Sequence, residues 1–220
     1  MVGTVPMDST IPLPRRHLHP SAWTRYWYEN ELGWPTVPAE PGEPVRLVTG
    51  VRFDVLDVPA EAGAAALGRL GPGSPVALQG DRMRLLVAAG SAEELPGLLG
   101  WLEWGTLALD IVALGVNGRM DAPPPSERAS AGPRPVPRGR SRSMPAAPVP
   151  GALQGAAVWL RPPGPGRGAG TSLPTLSAMG GVGGAPDLVR LVDTVATHCH
   201  RIRLRRGCAA QPVCQPLAFS

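Results

Sequence analysis

Hydrophobic and polar positions along the chain alternate between strand-like and helix-like patterns, separated by stretches with neither. The longest β-type run is VRFDVLDVP at 51–59, rich in the Val, Leu and Phe that suit a pleated, buried surface. Two carboxylates, Asp54 and Asp57, interrupt it. Upstream, Ser21 opens a helix in which Trp23, Tyr26, Trp27 and Asn30 recur at i, i+3, i+4 and i+7, an aromatic face expected in the core, and Gly33 is a natural stop. Residues 45–48 predict a brief strand, 60–70 an Ala/Leu/Gly helix lying against a sheet, and 75–78 a further strand that completes a βα unit. Gln79-Gly80-Asp81-Arg82 predicts a hairpin turn into a strand at 83–88.

Ser91-Ala92-Glu93-Glu94 has the form of a capping box, in which Ser91 would bind the N–H of Glu94. The helix it opens, over 92–104, carries the stripe Leu95, Leu98, Leu99 and Leu102, with Trp101 on its flank and Gly105 as its end. Residues 107–114 predict a second buried strand interrupted by Asp110, 115–118 a turn, 156–161 a closing strand and 173–179 a short helix. The strongest helical pattern comes last, over 186–206. Leu188, Leu191, Val192, Val195, Cys199 and Ile202 form its apolar face, while Asp187 favours the N-terminal end and Arg201, Arg203, Arg205 and Arg206 the C-terminal end.

Composition separates folded from unfolded stretches. The 220 residues include 28 Gly and 28 Pro, a density at which low-complexity segments are expected. Residues 1–20 are unpatterned, and 123–155 is almost devoid of large apolar side chains, so neither can bury enough surface to order itself. The second of these carries five Arg from Arg128 to Arg142 and is expected as a solvated basic loop. The expected architecture is α+β: a mixed β-sheet with packed helices over 21–163, a Gly-rich linker at 164–184, a C-terminal helix at 185–206 docking outside the core, and a tail at 207–220.

Charge and cysteine usage narrow the class. The net charge of +4 comes from Arg without a single Lys, a bias that coding composition explains as readily as a basic binding surface. No apolar run of about 20 residues is present, so no membrane span is expected. The first residues lack a secretory pattern, and three Cys point to a reducing cytoplasm rather than a disulfide framework. His198, Cys199, His200, Cys208 and Cys214 are zinc-ligand types, but adjacent residues diverge on a helix and no C-x2-C pair exists; a structural Cys199 and surface histidines are expected. GGVGG at 180–184 lacks the Lys and preceding strand of a phosphate loop. Asp57, near the end of its strand, fits either a helix cap or a metal ligand.

Four short pieces carry a resemblance by their order: Gly33-Trp34-Pro35-Thr36-Val37-Pro38; Phe53-Asp54-Val55-Leu56-Asp57-Val58; Leu109-Asp110-Ile111 through Gly118 to Ala122-Pro123-Pro124; and Val158-Trp159. Over 21–163 the chain resembles the N-terminal domain of bifunctional DNA primase/polymerases (prim-pol), and in particular short stand-alone members from high-GC bacteria. The resemblance implies nucleotidyl transfer with Mg2+ or Mn2+ held by Asp57 and Asp110, phosphate contacts from Arg84 and Arg82, and a nucleotide or single-stranded DNA as partner.

The departures from the family pattern bear on the same positions. Pro59 stands where a second strand carboxylate would sit, two residues from Asp57 and on the same face. Asp54, three residues away, faces the other side and is expected to be a solvent-facing residue or a hydrogen-bond anchor. Met83 or Arg84 occupies the place of the family's nucleotide-binding His. These departures imply a catalytically degenerate, cofactor-free binding module linked to nucleotides or nucleic acid, with a weak residual nucleotidyltransferase as its enzymatic variant. The alternative is a small regulatory protein that binds a protein partner through Leu188, Leu191 and Val195.

Overall fold

The computed structural model describes residues 20–37, 43–125, 155–164, 173–176 and 187–210. Most of the expected disordered segments, of the Gly-rich linker and of the C-terminal tail, and the end of the 173–179 helix, lie outside the described residues. In chain order the elements are α1 (Pro20–Tyr26), continued by a π-helical turn at Trp27–Leu32, then β1 (Thr36–Val37), β2 (Arg46–Val48) and β3 (Asp54–Pro59). They continue with α2 (Ala60–Ala66) and its 3-10 extension Leu67–Arg69, β4 (Val76–Gln79), β5 (Arg82–Val87) and α3 (Ser91–Trp101). Last come β6 (Val112–Leu114), β7 (Arg119–Asp121), β8 (Val158–Arg161) and α4 (Leu188–Ala210).

The fold is α+β, with two sheets in the orders β1-β2-β7 and β6-β3-β5-β4-β8. Every pairing of named strands is antiparallel, in place of the expected mixed sheet. The reason is local. β3, α2 and β4 do form a strand–helix–strand unit, but the two-residue Gly80-Asp81 turn folds β5 straight back, and β5 inserts between β3 and β4. The two strands thus run in the same direction without touching, as in a split βαβ unit.

Strand alternation gives the larger sheet two faces. Leu56 and Val58 of β3, Val76 of β4 and Met83, Leu85 and Val87 of β5 pack against α2, α3 and α4. Val55, Ala77 and Leu86 point the other way, onto an aromatic cluster of Trp27, Tyr28, Trp34 and Phe53 joined by Leu47 and Met120 of the smaller sheet. α2 approaches β5 closely because Gly63 has no Cβ; one added there would fall 2.5 Å from the Met83 sulfur. On the aromatic side the Tyr28 hydroxyl donates to the Pro123 carbonyl (2.6 Å) and accepts from Trp159 Nε1 (2.9 Å). Gln79 Nε2 donates to both Asp121 Oδ2 (2.9 Å) and the Gly155 carbonyl (2.8 Å). These two clasps fasten both ends of the 123–155 stretch to the sheet.

Several elements depart from the sequence expectation for identifiable reasons. At Trp27 the first helix widens to π geometry, which rotates its inner face: Trp27, Tyr28 and Leu32 are buried, whereas Trp23 (37% exposed) and Tyr26 (47%) stack on each other at the surface. The capping box does not form. Gly90, with φ 94°, is the N-cap of α3, and no side chain of the helix's own caps it. The helix ends before Gly105 in a Schellman turn, with Glu103 at φ 65° and the Trp104 N–H donating to the Leu99 carbonyl (2.8 Å). Residues 107–114 yield only the short strand β6, at the sheet edge and half exposed, because the chain bends at Asp110.

α4, expected as an addition outside the 21–163 unit, packs onto α2 and the sheet of that unit, with Leu188, Leu191, Val192, Val195, Cys199 and Ile202 all in the main hydrophobic cluster. Leu188, Leu191 and Val195 are therefore spent on folding and cannot also receive a partner, as the regulatory alternative required. The hydrophobic face was read correctly; its occupant is the chain itself. Leu191→Ala should lower stability by about 2–5 kcal/mol, the usual cost of truncating a buried leucine. Leu204→Ala, at a position 55% exposed on the same helix, should stay within about 0.5 kcal/mol. Urea unfolding of the two variants checks this; equal, small effects would mean that α4 is a loosely docked appendage.

Candidate functional site

The two strand carboxylates diverge because alternation sends Asp54 to the helical face and Asp57 to the opposite one. Asp57 stands in register with Arg84, and Pro59 with Arg82, so both arginines of β5 share the Asp57 face. On its other edge β3 pairs with β6, where Asp57 is opposite Val112. Carrying that register two residues further sets Asp110 beside Pro59. Pro59 thus lies between a cation on one neighbour and an anion on the other.

Arg82 bridges that gap. Its Nε donates to Asp57 Oδ1 (2.6 Å), its Nη2 to the Asp57 carbonyl (2.8 Å) and its Nη1 to Asp110 Oδ1 (2.6 Å). Arg84 Nε donates to the remaining Asp57 oxygen, Oδ2 (3.2 Å). Burial works against the Arg82 charge, but its hydrogen bonds to the Asp57 and Asp110 carboxylates outweigh it and hold the guanidinium above its ordinary pKa. Arg84 Nη1 is buried without a hydrogen-bond partner.

All four residues singled out from sequence, Asp57, Asp110, Arg82 and Arg84, are therefore brought together. Their arrangement differs from a metal centre. Both oxygens of Asp57 and one of Asp110 already accept from guanidinium groups, so a divalent cation would have to displace a bound cation of like charge. The donor set does not fit Mg2+ or Mn2+, and among the described residues no three His, Cys, Asp or Glu side chains form a group able to hold a metal ion. A phosphate approaching Arg82 or Arg84 meets the same obstacle, since it must compete with Asp57. At the position of the missing His, Met83 points into the helical core and Arg84 onto Asp57.

Asp57 does not cap α2, either: the Ala60 N–H donates to the Asp81 carbonyl (2.7 Å) and Pro59 is the N-cap. The cap is elsewhere. Asp54, fully buried rather than solvent-facing, accepts at Oδ2 from the Ala92 N–H (2.9 Å) and so closes the N-terminus of α3 from the neighbouring strand. Its Oδ1 is buried without a close partner. Burial raises the Asp54 pKa, opposed by the Ala92 N–H and reinforced by the Glu93 carboxylate.

Beside Asp110 the structure opens a groove of 180 Å3 that sequence reading missed. Pro59, Ala108 and Asp110 form one wall. The other is a stripe of α4, Cys199, Ile202, Arg203 and Arg206, whose spacing of 0, 3, 4 and 7 places all four on one helix face. That spacing was legible; what faced it was not. Arg203 Nη1 donates to the Ala108 carbonyl (3.0 Å), and the Cys199 thiol makes a weak contact to the Asp110 carbonyl at 3.7 Å. Burial, with help from Asp110 and against Arg82, pushes the Cys199 thiol up to about 11, so it stays protonated and unreactive at neutral pH. Among the other zinc-type residues, His200 packs its ring against Trp104 at 5.9 Å, Cys208 is exposed, and Cys214 lies outside the described residues.

Two measurements test this site. Arg82→Ala should cost about 1–3 kcal/mol in urea unfolding, because it strands a largely buried carboxylate with a single remaining partner. Adding Asp57→Ala to it should recover part of that loss, whereas strict additivity would show that the two side chains do not interact. For Asp54 the sign follows from a raised pKa: its contribution to stability is full below the ordinary aspartate value of about 4 and is lost as pH rises through the higher folded-state value. Relative to Asp54→Asn, the wild-type protein should therefore gain stability on going from pH 7 to pH 4. A difference between the two that does not change with pH would contradict the burial of this charge.

In comparisons with protein-family models, with curated proteins and with solved structures, the chain matches none.

Proposed function

We propose that this protein is a nucleotide- or nucleic-acid-binding module of the primase/polymerase type that performs no nucleotidyl transfer. The observation that carries this reading is the Asp57–Arg82–Asp110 bridge: at the positions where the resemblance implies metal ligands, the carboxylates are neutralised by arginine. Metal-assisted phosphoryl transfer needs carboxylates free to hold cations against the polyphosphate, and these two are not.

Binding, in contrast, has a surface. The C-terminal half of α4 exposes four arginines on two flanks: Arg203 and Arg206 line the groove beside Asp110, while Arg201 and Arg205 lie toward Glu61 of α2, which pairs Arg205. Phosphates held by Arg203 and Arg206 would lie next to the implied nucleotide position. Phosphate contact by arginine supplies affinity without sequence preference.

A labelled single-stranded oligonucleotide followed by fluorescence anisotropy provides the test. Two engaged arginines predict a slope of about −1.4 in log K against log salt, at roughly −0.7 per phosphate contact. The combined change Arg203→Ala and Arg206→Ala should flatten that slope and weaken binding by at least about tenfold. No binding at low salt, or Mn2+-dependent incorporation of labelled nucleotide that disappears in Asp57→Ala, would overturn the reading.

A further inference from the structure

The groove beside Asp110 combines three features that together specify a ligand. Its deeper lining is apolar, formed by Pro59 and Ile202 with the protonated Cys199 thiol. Its mouth is cationic: Arg206 has no carboxylate partner among the described residues, and Arg203 is pinned at the rim by the Ala108 carbonyl. Asp110 lines it with one carboxylate oxygen, Oδ1, taken by Arg82, and no described residue donates to the other, Oδ2. At 180 Å3 it is well below the roughly 300–1,000 Å3 that enclose a drug-sized molecule, so it accepts one flat ring and leaves the rest of the ligand outside.

We propose that this groove is a nucleobase pocket: it takes the base of a nucleotide whose pairing edge donates hydrogen bonds, with the phosphate at Arg203 and Arg206. The base edge meets Asp110 Oδ2, the acceptor that suits the exocyclic amino group of cytosine. Arg82 fixes the orientation of that carboxylate from behind, so the ion-pair bridge that excludes metal chemistry becomes the support for base selection. Thymine carries a carbonyl in place of that amino group and keeps only its N3–H to donate, so it meets the carboxylate less favourably. This inference rests on the nucleotide-binding reading above and adds to it the class of base and the residue that selects it.

Calorimetric titration of the full chain with dCMP and with dTMP tests it, alongside single-stranded DNA binding. The expected result is tighter binding of dCMP than dTMP by at least about tenfold, the lower end of what one good base contact discriminates. Asp110→Asn, which keeps an acceptor for Arg82 but places a donor in the groove, should erase that preference. Ala108→Trp, at an exposed position on the wall, should block dCMP and dTMP alike. Arg206→Ala should weaken dCMP and dTMP alike, which separates the phosphate contact from base selection and serves if Ala108→Trp does not fold. DNA binding with no mononucleotide binding, or dCMP binding unaffected by both Ala108→Trp and Arg206→Ala, overturns the pocket and leaves the broader reading standing. Failure to bind either ligand overturns both.

Discussion

Two carboxylates sit in a strand that is covered on both faces and paired on both edges, and the rest of the structure answers to that constraint. β3 has buried residues at five of its six positions, so neither Asp54 nor Asp57 can satisfy itself with water alone. Each recruits a different partner. Asp54 takes the free N–H at the start of α3, which fixes that helix against the sheet; Asp57 takes Arg82 and Arg84, which ties the central strand to its neighbour through side chains as well as backbone. A buried ion pair of this kind adds little net stability when measured against an apolar replacement, but it is costly to break from one side.

The chemistry of the site follows from how those demands are met. A strand that brought two carboxylates to one face would need a cation, and a metal ion could supply it. Here the same-face position two residues from Asp57 is Pro59, and the cation is a side chain. Arg82 spans Pro59 to reach Asp110, and together with Arg84 on Asp57 it turns a place where negative charge could gather into a charge-balanced, hydrogen-bonded cluster. The free chemical capacity moves to the margin, where Asp110 keeps one oxygen unengaged next to the arginines of α4.

α4 serves two purposes that its two faces keep apart. Its apolar stripe completes the main core against α2 and the sheet, while the exposed side of its C-terminal half concentrates arginine. A helix whose apolar face is consumed within its own domain is not available to a partner, and the same docking brings Cys199, Ile202, Arg203 and Arg206 over Pro59 and Asp110. The groove is therefore a product of assembly, belonging to neither element alone.

The sequence by itself determined what depends on neighbours along the chain. The β3 run, the Gly80-Asp81 hairpin and the apolar stripe of α4 were all legible, since each rests on a local period or a turn requirement that survives folding. Asp57, Asp110, Arg82 and Arg84 were grouped only through the resemblance, not by any local pattern. What the sequence could not contain was pairing across distance. Whether Asp54 faced water or the α3 N-terminus, whether Ser91 or a strand carboxylate capped that helix, and whether Asp57 met a metal or an arginine all depended on which strand lay beside β3. That choice was made when β5 folded back between β3 and β4, because a buried charge takes its properties from what surrounds it in space, and sequence separation carries no record of that distance.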